Sequence, residues 1–289
     1  MRVLLLGGTG EARALAAALH PDVEVISSLA GRVPDPALPV GQVRIGGFGG
    51  VDGLRRWLTD TPVDAVVDAT HPFAATITAA AAAVCADLGL PHLLLARPAW
   101  AAGDAILVSS DREAANTVAA KGFSRVFLTT GRTGVAAFRD SDAWFLIRAV
   151  TPPDADVLPR HHELLLSRGP YRYDDELAVL RTRCVDALVT KNSGGDMTRP
   201  KLDAAAGLGI PVVMVDRPPV PPGVSTVGTV PEAVAWVRSR RDEVEGAQPA
   251  DRLTSTGTHH QHHLGNPRSG HPAPRAPCPP AAARKQGDA

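Results

Sequence analysis

The residues best placed to do chemistry begin where the first apolar run ends: Leu6 is followed by Gly7-Gly8-Thr9-Gly10-Glu11-Ala12-Arg13 and then the helix-favouring stretch Ala14 to His20. Glycines let backbone N–H groups approach an anion, and a helix that starts there points its positive dipole end at the same place. Gly8, Thr9, Gly10 and Glu11 are therefore candidates to hold a dinucleotide pyrophosphate. The pattern departs from a full GxGxxG, because Arg13 stands at the last glycine position, and it lacks the GK[ST] ending of a P-loop. A tight strand-to-helix turn is the other reading of the same residues. The next apolar run ends in Ser27-Ser28-Leu29-Ala30-Gly31-Arg32. Folds that prefer NAD put a carboxylate here for the ribose hydroxyls. None is present, and Ser28, Gly31 and Arg32 offer hydrogen bonds and charge to a 2′-phosphate, so NADPH is expected over NADH.

Further on comes Asp68-Ala69-Thr70-His71-Pro72-Phe73, with Pro72 suited to a first helical turn and Thr70 and His71 near a sheet end, where a nicotinamide or substrate would sit. His71, with an ordinary pKa of about 6.5, has the chemistry to orient a substrate or transfer a proton; a capping or core-edge role is equally open. Three polar turns follow: Thr129-Thr130-Gly131-Arg132, Ser167-Arg168-Gly169-Pro170-Tyr171 and Thr190-Lys191-Asn192-Ser193-Gly194-Gly195. Each brings backbone N–H groups, hydroxyls and a cation to one sheet edge. Such a set suits a polyanion, with arginine gripping carboxylates bidentately and lysine acting as a point charge.

The elements that must position these residues are short Val/Leu/Ile runs alternating with Ala-rich stretches, which implies βαβ units on parallel sheets. Strands are predicted at Arg2 to Leu6, Val23 to Ser27, Gln42 to Ile45, Ala65 to Asp68 and His92 to Leu95. A second set falls at Arg125 to Thr129, Trp144 to Val150, Glu163 to Ser167, Ala187 to Thr190 and Val212 to Val215. Arg97-Pro98-Ala99-Trp100 is a crossing point between two Rossmann-like α/β domains, 1–98 for cofactor and 99–241 for substrate, with a cleft between them. From 242 to 289 Pro, Gly, His and small residues dominate and a disordered tail is expected.

Composition narrows the function. Lysine plus arginine equals aspartate plus glutamate, which argues against a nucleic-acid binder relying on a general basic field. The apolar runs are strand-sized, so no membrane span is expected, and Met1-Arg2 leads directly into a strand, which gives no sign of export and suggests a cytoplasmic protein. Cys85, Cys184 and Cys278 are widely spaced and read as reduced. His259, His260, His262 and His263 cluster in the tail without a carboxylate or cysteine to complete a ligand set, so no functional metal is expected.

Four segments together resemble the precorrin-6A reductase family of cobalamin biosynthesis. They are Leu6 to Arg13, Asp68 to Ala74, Arg168-Gly169-Pro170-Tyr171, and Val189 to Gly195 with Thr198, Lys201, Leu202 and Gly209 to Val213 downstream. The resemblance spans nearly all of residues 1–240, with Asn192 where many relatives carry Asp and Tyr171 where Phe is common. It implies NADPH-dependent reduction of one carbon–carbon double bond of the precorrin-6A macrocycle, giving precorrin-6B. Under it Thr70 and His71 lie near the nicotinamide. Arg132, Arg168, Tyr171, Lys191, Ser193, Gly194 and Lys201 hold substrate carboxylates or orient the ring. His71 and Lys191 are the catalytic candidates, although Tyr171 and water also remain as proton donors. Three other readings stand beside it: the same reduction of a cobalt-bearing ring, a non-catalytic NADPH sensor, and an S-adenosylmethionine methyltransferase, the last disfavoured by Ser28 where an acid is expected.

Overall fold

A computed structural model describes residues 1–31 and 38–246 of the chain. Arg32, the tail histidines and Cys278 lie outside the described residues. Met1–Gln248 forms one unit built on two parallel six-stranded sheets. The first half supplies β1 (Arg2–Leu6), α1 (Gly10–Leu19), β2 (Glu24–Leu29), β3 (Gln42–Ile45), α2 (Gly50–Asp60), β4 (Ala65–Asp68), α3 (Ala75–Leu88) and β5 (His92–Leu95). The second half supplies β6 (Ile106–Val108), α4 (Asp111–Ala120), β7 (Arg125–Thr129), a 3-10 segment (Arg132–Phe138) and β8 (Trp144–Ala149). It continues with β9 (His161–Leu166), α5 (Tyr173–Thr182), β10 (Ala187–Lys191), α6 (Pro200–Gly207) and β11 (Val212–Val215). β12 (Ser225–Val227) and α7 (Val230–Gly246) close the chain.

The central strands read as continuous apolar runs because helices cover both faces of each sheet, whereas the edge strands β3, β9 and β12 are mixed and partly exposed. In β1 the pleat sends Val3 and Leu5 toward a cluster with Leu15 and Leu19 of α1 and Val237 of α7. Leu4 and Leu6 go to the other face, among Leu54 of α2 and Val84 of α3. The second sheet repeats the arrangement: Val126 and Leu128 pack with Val118 and Phe138, Phe127 with Leu180 and Ala204. Burying Phe127, Phe138 and Phe145 completely contributes on the order of 2–3 kcal/mol each.

The strand order is β12-β5-β4-β1-β2-β3 in one sheet and β6-β11-β10-β7-β8-β9 in the other. The chain therefore crosses twice: β5 leads to β6 on the edge of the second sheet, and β11 leads back to β12, paired with β5. β12 and most of α7 fall in the range 99–241 expected for the second domain, yet β12 pairs with β5 of the first sheet and α7 packs against that sheet's core; α7 continues to Gly246, beyond the expected start of the tail. β6 and β12 were not expected, because three residues at a sheet edge carry no readable period and only a distant partner fixes them. β2 runs later than expected, to Leu29, β9 runs earlier, from His161, and β10 includes Lys191. Pro72 precedes the helix, since α3 starts at Ala75.

Both crossings are held by polar clamps. The Arg217 guanidinium donates to the carbonyls of Asn192, Arg97, Pro98 and Ser193. Asn192 accepts from the Trp100 amide at 2.9 Å and donates its own amide to the Trp100 carbonyl at 3.3 Å. An aspartate at 192 could not make the second bond.

Candidate active site

In open α/β sheets ligands bind beyond the carboxyl ends of the strands, and here the carboxyl ends of β1, β4, β7, β8, β9 and β10 meet at one cleft. It has two chambers of about 430 and 380 Å³ that share Gly8, Gly10, Val150, Arg168, Gly169 and Met197. The first chamber is walled by the glycine turn, Ser27, Ala30, Gly31 and Pro39; the second by the turns after β7, β9 and β10 with His71, Arg97, Arg148 and Lys201.

The glycine turn has the form an anion needs. Gly8 sits at φ +113 with open space where a Cβ would stand. Thr9 caps α1, accepting from the Ala12 amide at 3.1 Å, and its hydroxyl donates to the Ala69 carbonyl at 2.7 Å, which ties the turn to the end of β4. The amides before Ala12 have no intrahelical acceptor, as at any helix N-terminus. Glu11 is engaged differently from the expectation: its carboxylate pairs with Arg97 at 2.8 Å, and Arg97 also donates to the Ser193 carbonyl, linking the two lobes.

At the end of β2 the pleat separates the two serines. Ser27 lines the first chamber and its buried hydroxyl has no protein partner, whereas Ser28 accepts from Arg44 at 3.2 Å and does not line the chamber. Arg44, opposite Ser28 in the β2–β3 register, is spent on the carbonyls of Gly46 and Gly47 and on the Phe48 ring. Gly31 lines the chamber as expected. Thr70 does not line either chamber: its amide and hydroxyl both donate to Asp68, whose second carboxylate oxygen is buried without a partner. Arg132 starts the 3-10 segment and lines neither chamber; its neighbour Gly131 does.

His71 lies in the cleft lining with its ring still exposed to solvent. Partial desolvation among the packed walls, followed by the fields of Arg97, Lys191, Arg217 and Lys201, pushes its pKa down to about 4. Its Nδ1 accepts from the Phe73 amide at 3.3 Å, which leaves Nε2 to carry the proton of the neutral ring. The imidazole is thus a neutral hydrogen-bond donor. An NMR titration of the full chain should find His71 neutral down to about pH 4. Because the unfolded ring titrates near 6.5, the unfolded chain binds the extra proton between these values, and His71 makes stability fall as pH drops through that window. Titration of His71 near 6.5 would contradict the cation field described here.

The second lobe supplies the cations. Lys191 pairs with Asp111 at 3.2 Å and stands 5.3 Å from the Phe73 ring centroid. Arg148 and Glu176, 7% and 1% exposed, form a two-pronged buried pair at 2.9 and 2.7 Å, with the guanidinium stacked 4.0 Å over Tyr171. Tyr171 donates its hydroxyl to the Ser167 carbonyl at 3.1 Å. Lys201 is 5% exposed, donates to the Thr198 carbonyl at 2.8 Å and lies 4.7 Å from the Trp100 ring centroid. Burial first, then Arg148, lowers its pKa to about 7 against the opposing pull of Glu176. Ser193 and Gly194 line the wall, and the Ser193 carbonyl is already used by Arg97 and Arg217 of the crossing clamps. Arg168 reaches both chambers, with no hydrogen bond or ion pair among the described residues. Val150 and Met197, 47% and 48% exposed, add apolar surface beside it.

Sequence reasoning missed Arg97, Arg148, Glu176 and Ser27. Arg97 was visible only as part of a crossing; the others needed strand register and pairing partners. Among the described residues no helix is long and apolar enough to cross a membrane, and no group of His, Cys, Asp or Glu could hold a metal ion.

Comparison with known proteins identifies the family of the chain that carries this cleft. Residues 2–238 match the family described as precorrin-6x reductase CbiJ/CobK. A precorrin-6A reductase from Mycobacterium tuberculosis is 69% identical over 236 residues, 82% of this chain and 97% of its own length. A cobalt-precorrin-6A reductase from Methanothermobacter thermautotrophicus is 31% identical over 235 residues, 76% of this chain and 78% of its own. A solved structure titled CobK precorrin-6A reductase matches with a TM-score of 0.76 and 36% identity, covering 83% of this chain and 97% of that one.

Proposed function

Since the chain belongs to the precorrin-6x reductase family, we propose that it reduces one carbon–carbon double bond of precorrin-6A with NADPH, giving precorrin-6B. The observation that carries this reading is the continuity of the two chambers across Gly8, Gly10 and Arg168. An anion-binding helix start on one wall faces a cation-lined wall on the other. NADPH, when bound, supplies the hydride, so the protein's task is to hold two large ligands face to face and to manage a proton.

The first chamber fits a dinucleotide. Gly8 and Gly10 allow backbone approach, the N-terminus of α1 attracts the pyrophosphate, and the buried Ser27 hydroxyl lacks a protein partner. Thr9 fixes the turn and Glu11 holds Arg97 in place, while Gly31 lines the chamber beyond the end of β2. Arg32, next in sequence, is the cation assigned to the 2′-phosphate. Replacing it with alanine should weaken NADPH about 10- to 100-fold, the worth of one charge-assisted bond, and leave NADH affinity nearly unchanged. Calorimetry with both cofactors decides this, and equal losses would remove the assignment.

The second chamber suits a tetrapyrrole. Arg168, with Lys191 in the same chamber, presents positive charge to its carboxylates, Arg148 stiffens the wall behind Tyr171, Val150 and Met197 add apolar surface for its ring, and the neutral His71 can donate a hydrogen bond into the chamber. The metal-free ring is the expected substrate, in keeping with the name carried by relatives at 69% and 56% identity; the cobalt-ring name belongs to relatives at 31% and below. The same reading places the work in the cytoplasm. Steady-state oxidation of NADPH by the full chain, compared on metal-free and cobalt-bearing rings, tests it. Turnover confined to NADPH and the metal-free ring is expected, and binding of NADPH without turnover on either ring would favour a sensor instead.

A further inference from the structure

We propose that Lys201 is the proton donor of the reduction, delivering a proton from Nζ to the ring carbon beside the one that receives hydride. This rests on the reading of the second chamber as the tetrapyrrole site. Lys201 lines that chamber while being almost wholly enclosed, an expensive position for an ammonium unless it has work there. It sits in the first turn of α6, where the helix dipole disfavours a cation. Its one hydrogen-bond acceptor among the described residues is the Thr198 carbonyl, and no carboxylate pairs with it.

The charges around it are arranged to make the amine a willing acid. Arg148 on β8 faces it, the neutral His71 lines the same chamber without adding charge, and Glu176 on α5, though committed to Arg148, together with the Trp100 ring and the Thr198 carbonyl favours the ammonium. The balance leaves its pKa at about 7, where a general acid works best at neutral pH. The other candidates are worse acids or are occupied. His71 is neutral, Lys191 is paired with Asp111, and the Tyr171 hydroxyl is given to the Ser167 carbonyl.

In the step, the Lys201 N–H bond breaks and the electron pair of the ring double bond forms the new C–H bond. The neighbouring carbon, now electron-poor and conjugated to a ring nitrogen, takes the hydride. The macrocycle is reduced by two electrons, the nicotinamide is oxidised by two, and the neutral amine regains its proton from water.

The test combines a titration with single-turnover kinetics. In the full, isotopically labelled chain, an NMR signal assigned to the Lys201 side chain by its loss in Lys201→Met should titrate near 7. A titration near the ordinary lysine value would overturn the proposal, and Lys201→Arg supplies the same assignment if Lys201→Met does not fold. With saturating NADPH and precorrin-6A, the wild-type rate should fall as pH rises past that value. Lys201→Met and Lys201→Arg should both be about 100- to 10,000-fold slower, the usual worth of a general acid, and lose that basic limb, with ring affinity changed less than tenfold. Wild-type speed in Lys201→Arg, a retained basic limb, or a loss confined to affinity would each show a charge clamp and overturn the proposal. Failure of the wild-type chain to reduce the ring at all would instead refute the tetrapyrrole reading on which the proposal stands.

Discussion

Replacing Glu176 with alanine should lower the free energy of unfolding by about 3–5 kcal/mol, the cost of leaving a buried charge without its partner. Arg148 is 7% exposed, both of its terminal nitrogens are spent on Glu176, and its Nε is already buried without an acceptor. No other carboxylate bonds to it among the described residues. The damage should spread into the cleft, because the same guanidinium stacks on Tyr171 and sets part of the field at Lys201. With Glu176 gone, the opposing pull on Lys201 disappears and its pKa should fall further. Denaturant unfolding measures the first effect. The double replacement Arg148→Met with Glu176→Leu should recover most of the stability, since apolar residues of similar size often equal a buried ion pair, but should bind the anionic ring more weakly. An alanine variant as stable as the wild type would mean that the pair is solvated and not buried as described.

The second large effect is expected at Gly194. Its φ of +68 is a left-handed conformation, and an added Cβ would overlap the Pro98 carbonyl oxygen and the Arg217 guanidinium. Gly194→Ala should therefore cost about 1–2 kcal/mol for the backbone and about 1–3 kcal/mol more for the displaced neighbours. Those neighbours are the crossing clamp. Moving them shifts Arg97 and the Gly195 turn, and a displacement of about 1 Å at such a site can cost on the order of 100-fold in rate. Gly209→Ala is the control: its φ of +65 is equally left-handed, but a Cβ there meets nothing within 4 Å. Thermal midpoints and kcat/KM for the two variants separate strain from overlap. Equal losses in both would show that the clamp around Pro98 yields freely.

Much of this architecture was legible because most central strands are apolar runs buried on both faces, which leave little choice. β1, β3, β4, β5, β7 and β11 stand at their expected residues. The glycine turn and the polar turns after β7, β9 and β10 do meet at one cleft. What could not be read was anything set by register or by distant partners. The choice between Ser27 and Ser28 depends on which face of β2 looks toward α1, a matter of one residue in a period of two. Thr70 looked free and is consumed by Asp68 two residues away. Glu176 lies 28 residues from Arg148 on a helix whose first turn is acidic throughout, so its pairing left no local trace. Lys201 was recognisable as a site residue from the resemblance, but its burial and its proximity to Arg148, which together set its acidity, depend on partners distant in the chain. The return of β12 to the first sheet is the same lesson at larger scale. Short edge strands are assigned by the chain's path, and that path is held by Arg217 and Asn192, which look like ordinary loop residues in isolation.

The central claim is that the glycine turn and the cation-lined wall hold cofactor and ring face to face. Its most direct test is transfer of label within one active-site complex. NADPH carrying deuterium at the transferable position of the nicotinamide is mixed with the full chain and precorrin-6A in ordinary water, and the product is weighed by mass spectrometry. The account predicts one deuterium in each molecule of reduced ring, retained after the cofactor is exchanged away. Reduced ring without deuterium, or oxidised cofactor without reduced ring, would contradict it.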